Sequence, residues 1–381
     1  MPVIPIGDTV DRRPEVLPPG VLELFDDRFV RSWDLYEAFT RRLAARIARE
    51  VGMGDADPRT PEEMARDAAL DPVRAGPVLA WLAATLSGDQ DRGELLADGE
   101  PEDIRREQLA HDPAAAPAYD LAARAAGACS KVMRGEISGE EVLLAPDRIA
   151  AWSDYFSNDN PLYAINNRVG ALGCLAWAPS GRLRVLEAGG GLGSGAEALL
   201  EALDGAGRLG EVASYRFTDL SVPFVRRGMR ALQSWAGRVP LSAGRLDLDR
   251  PFAEQGVEPG SVDLIWAVNT LHVAHDLKAT LGEVRAALAP GGAVVLGECV
   301  RPFDGQPVAP EMIFNLLESF RAPDLRPDWR PNGGFLTADQ WAAGFRSAGL
   351  EPLGTLPDIH RVREHYPSFV VAAVGARRPS S

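Results

Sequence analysis

Lysine is almost absent from this 381-residue chain: only Lys131 and Lys278 occur, so arginine supplies nearly all of the 40 basic residues set against 54 acidic ones. The formal net charge of −14 opposes nonspecific binding to nucleic acid, which needs concentrated positive surface. With so much Ala and Gly, the arginine bias reads as a GC-rich coding signature. Cysteine is scarce as well. Cys129, Cys174 and Cys299 are odd in number and widely spaced, which excludes a disulfide framework and a Cys-rich metal site, so no metal is expected. No apolar run approaches the ~20 residues of a membrane span. Met1 to Val16 mixes Pro, Asp and Arg where a signal peptide needs an apolar stretch, so the cytoplasm is the expected compartment.

What is present is ordinary globular material, 46% hydrophobic and 25% charged. The length favours two domains, with a boundary placed between residues 135 and 136. The first stretch reads as helices. Thr60-Pro61-Glu62-Glu63 is a helix start, with a Thr cap, Pro at the first position and Glu three residues after the cap. Asp71-Pro72 begins a second helix with Leu79, Leu82 and Leu86 on one stripe. Such a pair also describes a DNA-binding helix-turn-helix. The second helix carries nothing basic beyond Arg74, which favours a dimerisation or lid domain instead. Ser87 to Pro117 is polar, with loops and a weak helix expected, and Leu121 to Met133 is helical again. Trp152 to Trp177 reads as one or two helices broken at Asn158-Asp159-Asn160-Pro161.

From Arg182 onward strand and helix alternate. Leu183 to Glu187 is a short buried strand, followed by a glycine loop and a helix to about Ala202. Tyr215 to Thr218 and Val262 to Ala267 are further strands. A helix with Leu277, Leu281, Val284 and Leu288 on one face is expected to end at Pro290-Gly291-Gly292, before a buried strand at Ala293 to Gly297. This rhythm implies an α/β domain with a parallel sheet covered by helices on both faces.

The sharpest local signal is Glu187-Ala188-Gly189-Gly190-Gly191-Leu192-Gly193-Ser194-Gly195. Glycines there let the backbone turn tightly and approach a ligand beyond the end of a strand. Nicotinamide and flavin sites use a similar device, usually with a G-x-G-x-x-G spacing that fits here only if Ser194 stands for the third glycine. A pyrophosphate-free, cationic nucleoside ligand needs carboxylates instead. Asp219 at the end of the second strand suits ribose hydroxyls, and Asp247 falls where a further strand should end and suits an adenine edge.

Beyond these residues the chain resembles the class I S-adenosylmethionine-dependent methyltransferases, and most closely the methyltransferase domains of polyketide synthases. The resemblance rests on Leu186 to Gly193, Phe217-Thr218-Asp219-Leu220-Ser221, Leu246-Asp247-Leu248-Asp249, Asn269-Thr270-Leu271-His272, Leu288 to Gly292 and Gly297-Glu298, in that order. Gly334 to Thr337 and Trp341 extend it. It implies a Rossmann-like seven-stranded sheet behind a mostly helical N-terminal domain. It implies S-adenosylmethionine held by Glu187, Gly189, Gly191, Gly193, Asp219, Leu220, Asp247, Leu248 and Asn269. It also implies a His272–Glu298 pair. The residues support that pairing separately: if the strands before His272 and Glu298 are neighbours, about 4.8 Å apart, the two side chains meet at the sheet's carboxyl edge. A carboxylate on one imidazole nitrogen fixes the tautomer and leaves the other free to take a proton.

The N-terminal helices resemble in part the dimerisation domain of small-molecule O-methyltransferases, which leaves the acceptor atom open between carbon and oxygen. The leading expectation is a stand-alone methyltransferase of natural-product biosynthesis acting on an activated carbon, free or carrier-bound. A non-catalytic S-adenosylmethionine binder and a nicotinamide oxidoreductase are the other readings. Tyr163 and Asn167 are expected in the acceptor pocket, capped by the insert 302–334 with Met312, Phe314, Leu317 and Phe320. His275 is expected to be solvated or capping, and Arg226, Arg227 and Arg230 to form a solvated helix face or a surface for an acidic carrier. A homodimer is expected by analogy.

Overall fold

The computed structural model describes residues 11–54, 57–87 and 100–380. The first ten residues and 88–99 lie outside it, and with them most of the signal-peptide reading and part of the polar stretch.

Seven strands form one sheet in the order β3-β2-β1-β4-β5-β7-β6: β1 Leu183–Glu187, β2 Val212–Asp219, β3 Leu241–Arg245, β4 Val262–Val268, β5 Leu288–Cys299, β6 Glu351–Leu356 and β7 Val371–Arg377. The first five are parallel. The apolar runs of β1, β4 and β5 are buried because the crossover helices Ser194–Gly205, Val222–Ala231 and Leu277–Ala287 must lie on the sheet faces. The strands read from the sequence are parallel as expected, whereas β7, near the end of the chain, runs antiparallel to both β5 and β6. It follows β6 directly through a one-turn helix, Ile359–Arg363, and pairs with it as an adjacent reversed strand. One expectation is corrected at Leu288: the helix ends at Ala287, and Leu288 already belongs to β5.

β1 grows outward to β2 and β3 on one side, and the chain then jumps back to β4 on the other. At such a reversal the loops leave in opposite directions, and a crevice opens beyond the carboxyl ends of β1 and β4. The helix Pro161–Trp177 covers the sheet beside this crevice. Its start at Pro161, after the preceding helix Ile149–Tyr155, matches the predicted break.

The N-terminal helices begin at the predicted caps. Thr60 and Glu63 form a reciprocal capping box, and Asp71 accepts from Val73 and Arg74 backbone N–H groups. The long helix Asp27–Glu50 packs on Ala116–Met133, where Tyr119 meets Tyr36 and Phe39 at ring distances of 5.4 and 4.6 Å. The helix Pro72–Leu86 packs against the insert, its Trp81 donating to the Val308 carbonyl at 3.0 Å. One apolar core runs from these helices through both faces of the sheet. No helix among the described residues is long and apolar enough to cross a membrane. All three cysteines are buried free thiols, and no metal-binding cluster occurs among the described residues.

Candidate active site

β1 ends in Glu187, and the chain must then turn sharply to start the helix at Ser194. Gly189, Gly191 and Gly193 take left-handed φ values of +67, +56 and +99°. A Cβ on Gly189 would stand 2.2 Å from Thr270, and one on Gly190 2.3 Å from the Phe217 ring. Glycine is therefore required by contact as well as by backbone angle. Thr270 pins the loop from the β4 side, its hydroxyl donating to the Val268 and Gly189 carbonyls at 2.8 and 3.2 Å.

The loop borders a cleft of about 190 Å³ whose walls include Trp152, Phe156, Tyr163, Asn167, Glu187 and Asp219. Its two ionisable acids come with no arginine or lysine among the lining residues. Glu187 is buried, accepts the Tyr215 hydroxyl at 2.9 Å, and is pushed up to about 8 chiefly by burial. Asp219 accepts the N–H groups of Ser221 and Gly191 at 2.7 and 3.0 Å; burial raises its carboxyl and those two bonds oppose the rise. Asn158 donates to the Ser194 carbonyl and accepts from the Asn167 amide at 2.8 Å. Those two bonds fix the Asn167 amide, whose buried oxygen has no hydrogen-bond partner. The cleft thus offers acceptors to a cationic, donor-rich ligand and no cation to a pyrophosphate.

Farther along the same edge, β4 pairs with β5 with Val268 opposite Gly297. This register brings His272 and Glu298 together: the imidazole Nδ1 lies 2.9 Å from Glu298 Oε2, and both side chains are buried. Phe335 and Phe320 pack on the imidazole at ring distances of 4.8 and 5.7 Å. Through Phe314 this aromatic wall continues to Phe156, Trp152 and Tyr163 at the cleft. The insert holds two single helical turns, Glu311–Phe314 and Glu318–Arg321, and its Phe320 packs against His272.

The remaining predicted residues are spread more widely. Asn269, at a left-handed φ of +45°, lines the cleft, but its side chain is engaged with the Cys299 N–H at 2.8 Å. Gly193, Leu220, Asp247 and Leu248 lie outside the cleft lining. Leu220 is 55% exposed at the end of β2. Asp247 caps the Asp249 N–H and lies 3.5 Å from Arg245, and the Leu248 carbonyl takes the Thr280 hydroxyl. Tyr163 and Asn167 line the cleft beside the glycine loop itself. His275 is exposed, 3.7 Å from Asp324, and Arg226, Arg227 and Arg230 are exposed on their helix. Sequence reasoning missed Trp152, Phe156 and Phe224 as cleft walls and Asn158 as the anchor of Asn167. The Asn158 signal was in view, because an Asn-rich break before a helix N-terminus needs side-chain acceptors and donors.

Residues 186–294 match the methyltransferase-domain family. A highly reducing polyketide synthase of Aspergillus carbonarius is 29% identical over 285 residues, 71% of this chain and 10% of the synthase. The chain therefore spans about a tenth of that relative's length. The solved CurJ carbon methyltransferase superposes with a TM-score of 0.72 at 22% identity, covering 97% of both chains. The trans-methyltransferase CalH, solved in complex with S-adenosylhomocysteine, has a TM-score of 0.58 at 20% identity over 97% of this chain and 92% of its own. The acid-lined, cation-free cleft suits the ammonium, ribose hydroxyls and sulfonium of S-adenosylmethionine, with Glu187, Asp219, Asn167 and the glycine loop as the groups that would hold it.

Proposed function

We propose that the chain is an S-adenosylmethionine-dependent methyltransferase of the polyketide synthase type that methylates an activated carbon, such as one flanked by carbonyls, on a free or carrier-bound acceptor. The buried His272–Glu298 pair carries this reading. Bound cofactor supplies a methyl group on a cationic sulfur, open to in-line displacement. His272 takes the acceptor's proton on Nε2, while Glu298 accepts from Nδ1–H and holds the tautomer. Proton removal leaves the acceptor's electron pair free to form the new bond to the methyl group. Phe320 and Phe335 exclude water from the ring and favour an acceptor without charge. The carbon methyltransferase named among the structural neighbours supports carbon as the acceptor atom.

The test is product NMR after incubation with a short β-ketoacyl thioester and cofactor. A new C–CH₃ signal is expected, and a methoxy signal overturns carbon methylation in favour of oxygen. His272→Ala should abolish turnover and leave S-adenosylhomocysteine affinity nearly unchanged, whereas loss of both assigns His272 a structural role.

A further inference from the structure

We infer that Arg330 is a positioning residue for the methyl-transfer step, acting as a fork that holds the turn bearing His272; this rests on His272 being the base. His272 sits in a single turn of 3₁₀ helix, Leu271–Val273, between β4 and the helix that starts at Leu277. So short a turn has little internal hydrogen bonding to hold it. Its carbonyls are satisfied instead from a segment far along the chain. The Arg330 guanidinium donates to the His272 carbonyl through Nη2 and to the Ala274 carbonyl through Nη1 at 3.3 Å. One planar group thus holds the carbonyl of His272 itself and that of Ala274, which closes its turn, a two-point fork whose fixed geometry a lysine lacks.

Arg330 is suited to this task. Its side chain is fully buried, and its backbone exchanges hydrogen bonds with Arg326 in both directions, at 2.7 and 2.9 Å. Two further ties run between the same segments. The Asp324 N–H donates to the His275 carbonyl at 2.7 Å, and Arg326 pairs with Asp276 at 2.8 Å. Burying a guanidinium is expensive unless its donors are met. Here the chain meets two of them with the carbonyls beside the imidazole, where a hydrophobic side chain would have filled the space. The fork therefore ties the insert and the His272 turn into one unit, so the packing of the insert and the placement of the imidazole are coupled.

The experiment compares the parent with Arg330→Met, Arg330→Lys and His272→Asn, using cofactor and the same short β-ketoacyl thioester. For Arg330→Met, kcat is expected to fall on the order of 100-fold, as for a displacement of ~1 Å at a reacting group. KM for the cofactor and Kd for S-adenosylhomocysteine should stay within about 3-fold, since the cleft does not touch Arg330. The ¹H–¹⁵N signals of His272 should show the Nδ1–H hydrogen bond in the parent and its loss or broadening in Arg330→Met. If Arg330→Met does not fold, Arg330→Lys carries the same test: it keeps the charge, loses the fork, and should show the same split between kcat and Kd. A folded Lys or Met variant with parental kcat and His272 signals overturns the inference. His272→Asn with parental turnover overturns the base reading itself, whereas loss of turnover in His272→Asn with normal Arg330 variants overturns only the role of Arg330.

Discussion

Replacing Glu187 by Gln should stabilise the empty protein while weakening its hold on the cofactor. The Glu187 side chain is buried, accepts the Tyr215 hydroxyl, and is pushed from 4.5 up to about 8 chiefly by desolvation. The unfolded chain releases this proton near its ordinary value, and the folded chain only near the raised one. Between the two the folded state carries the extra proton, so this group's contribution to stability falls as pH rises and levels off above about 8. At ~1.4 kcal/mol per pH unit the rise from 4.5 to about 8 makes the penalty at high pH on the order of 5 kcal/mol. Glutamine cannot ionise and still offers Tyr215 an oxygen. In a chain of this length about 1 kcal/mol moves Tm by roughly 1 °C. Glu187→Gln should thus melt about 3–5 °C above the parent near pH 8.5, with the gap nearly closed near pH 5. In calorimetric titration at the higher pH it should lose on the order of 10-fold in S-adenosylhomocysteine affinity, because the ligand's ammonium loses its anion. A melting gap of the same size at both pH values, or a variant less stable than the parent at the higher one, refutes the reasoning.

Gly190→Ala forces a Cβ to 2.3 Å from the Phe217 ring and should cut S-adenosylhomocysteine affinity on the order of 10-fold or more by titration, with Ala substitution at the loosely surrounded Gly205 as the silent control. Glu298→Gln should lower kcat at least about 10-fold at unchanged cofactor affinity, since the amide no longer selects the Nδ1–H tautomer of His272. Arg301→Met strips buried Glu311 of its cation and should cost about 3–5 kcal/mol in denaturant unfolding, part of which Glu311→Gln in the same chain restores.

Much of the catalytic half was legible before any coordinates, because its signals are local. Leu183–Glu187 has the predicted bounds as β1, since a short apolar run closed by a glycine loop has few other conformations. Capping at Thr60 and Asp71 was readable for the same reason: a cap is decided within four residues. Even the His272–Glu298 contact followed from one condition, adjacency of two strands, which the parallel register of β4 and β5 meets.

What the sequence by itself determined about this protein is therefore its periodicity: strand and helix alternation, the glycine turn, the acids at strand ends and the pairing of His272 with Glu298. Tertiary structure alone decided the antiparallel place of β7, the cation-free lining of the cleft, the unpartnered oxygen of Asn167 and the grip of Arg330 on the His272 turn. Arg330 and His272 are 58 residues apart and carry no pattern that links them. A guanidinium meets distant carbonyls only where packing has closed off water, and that exclusion belongs to the assembled fold rather than to any segment of the chain.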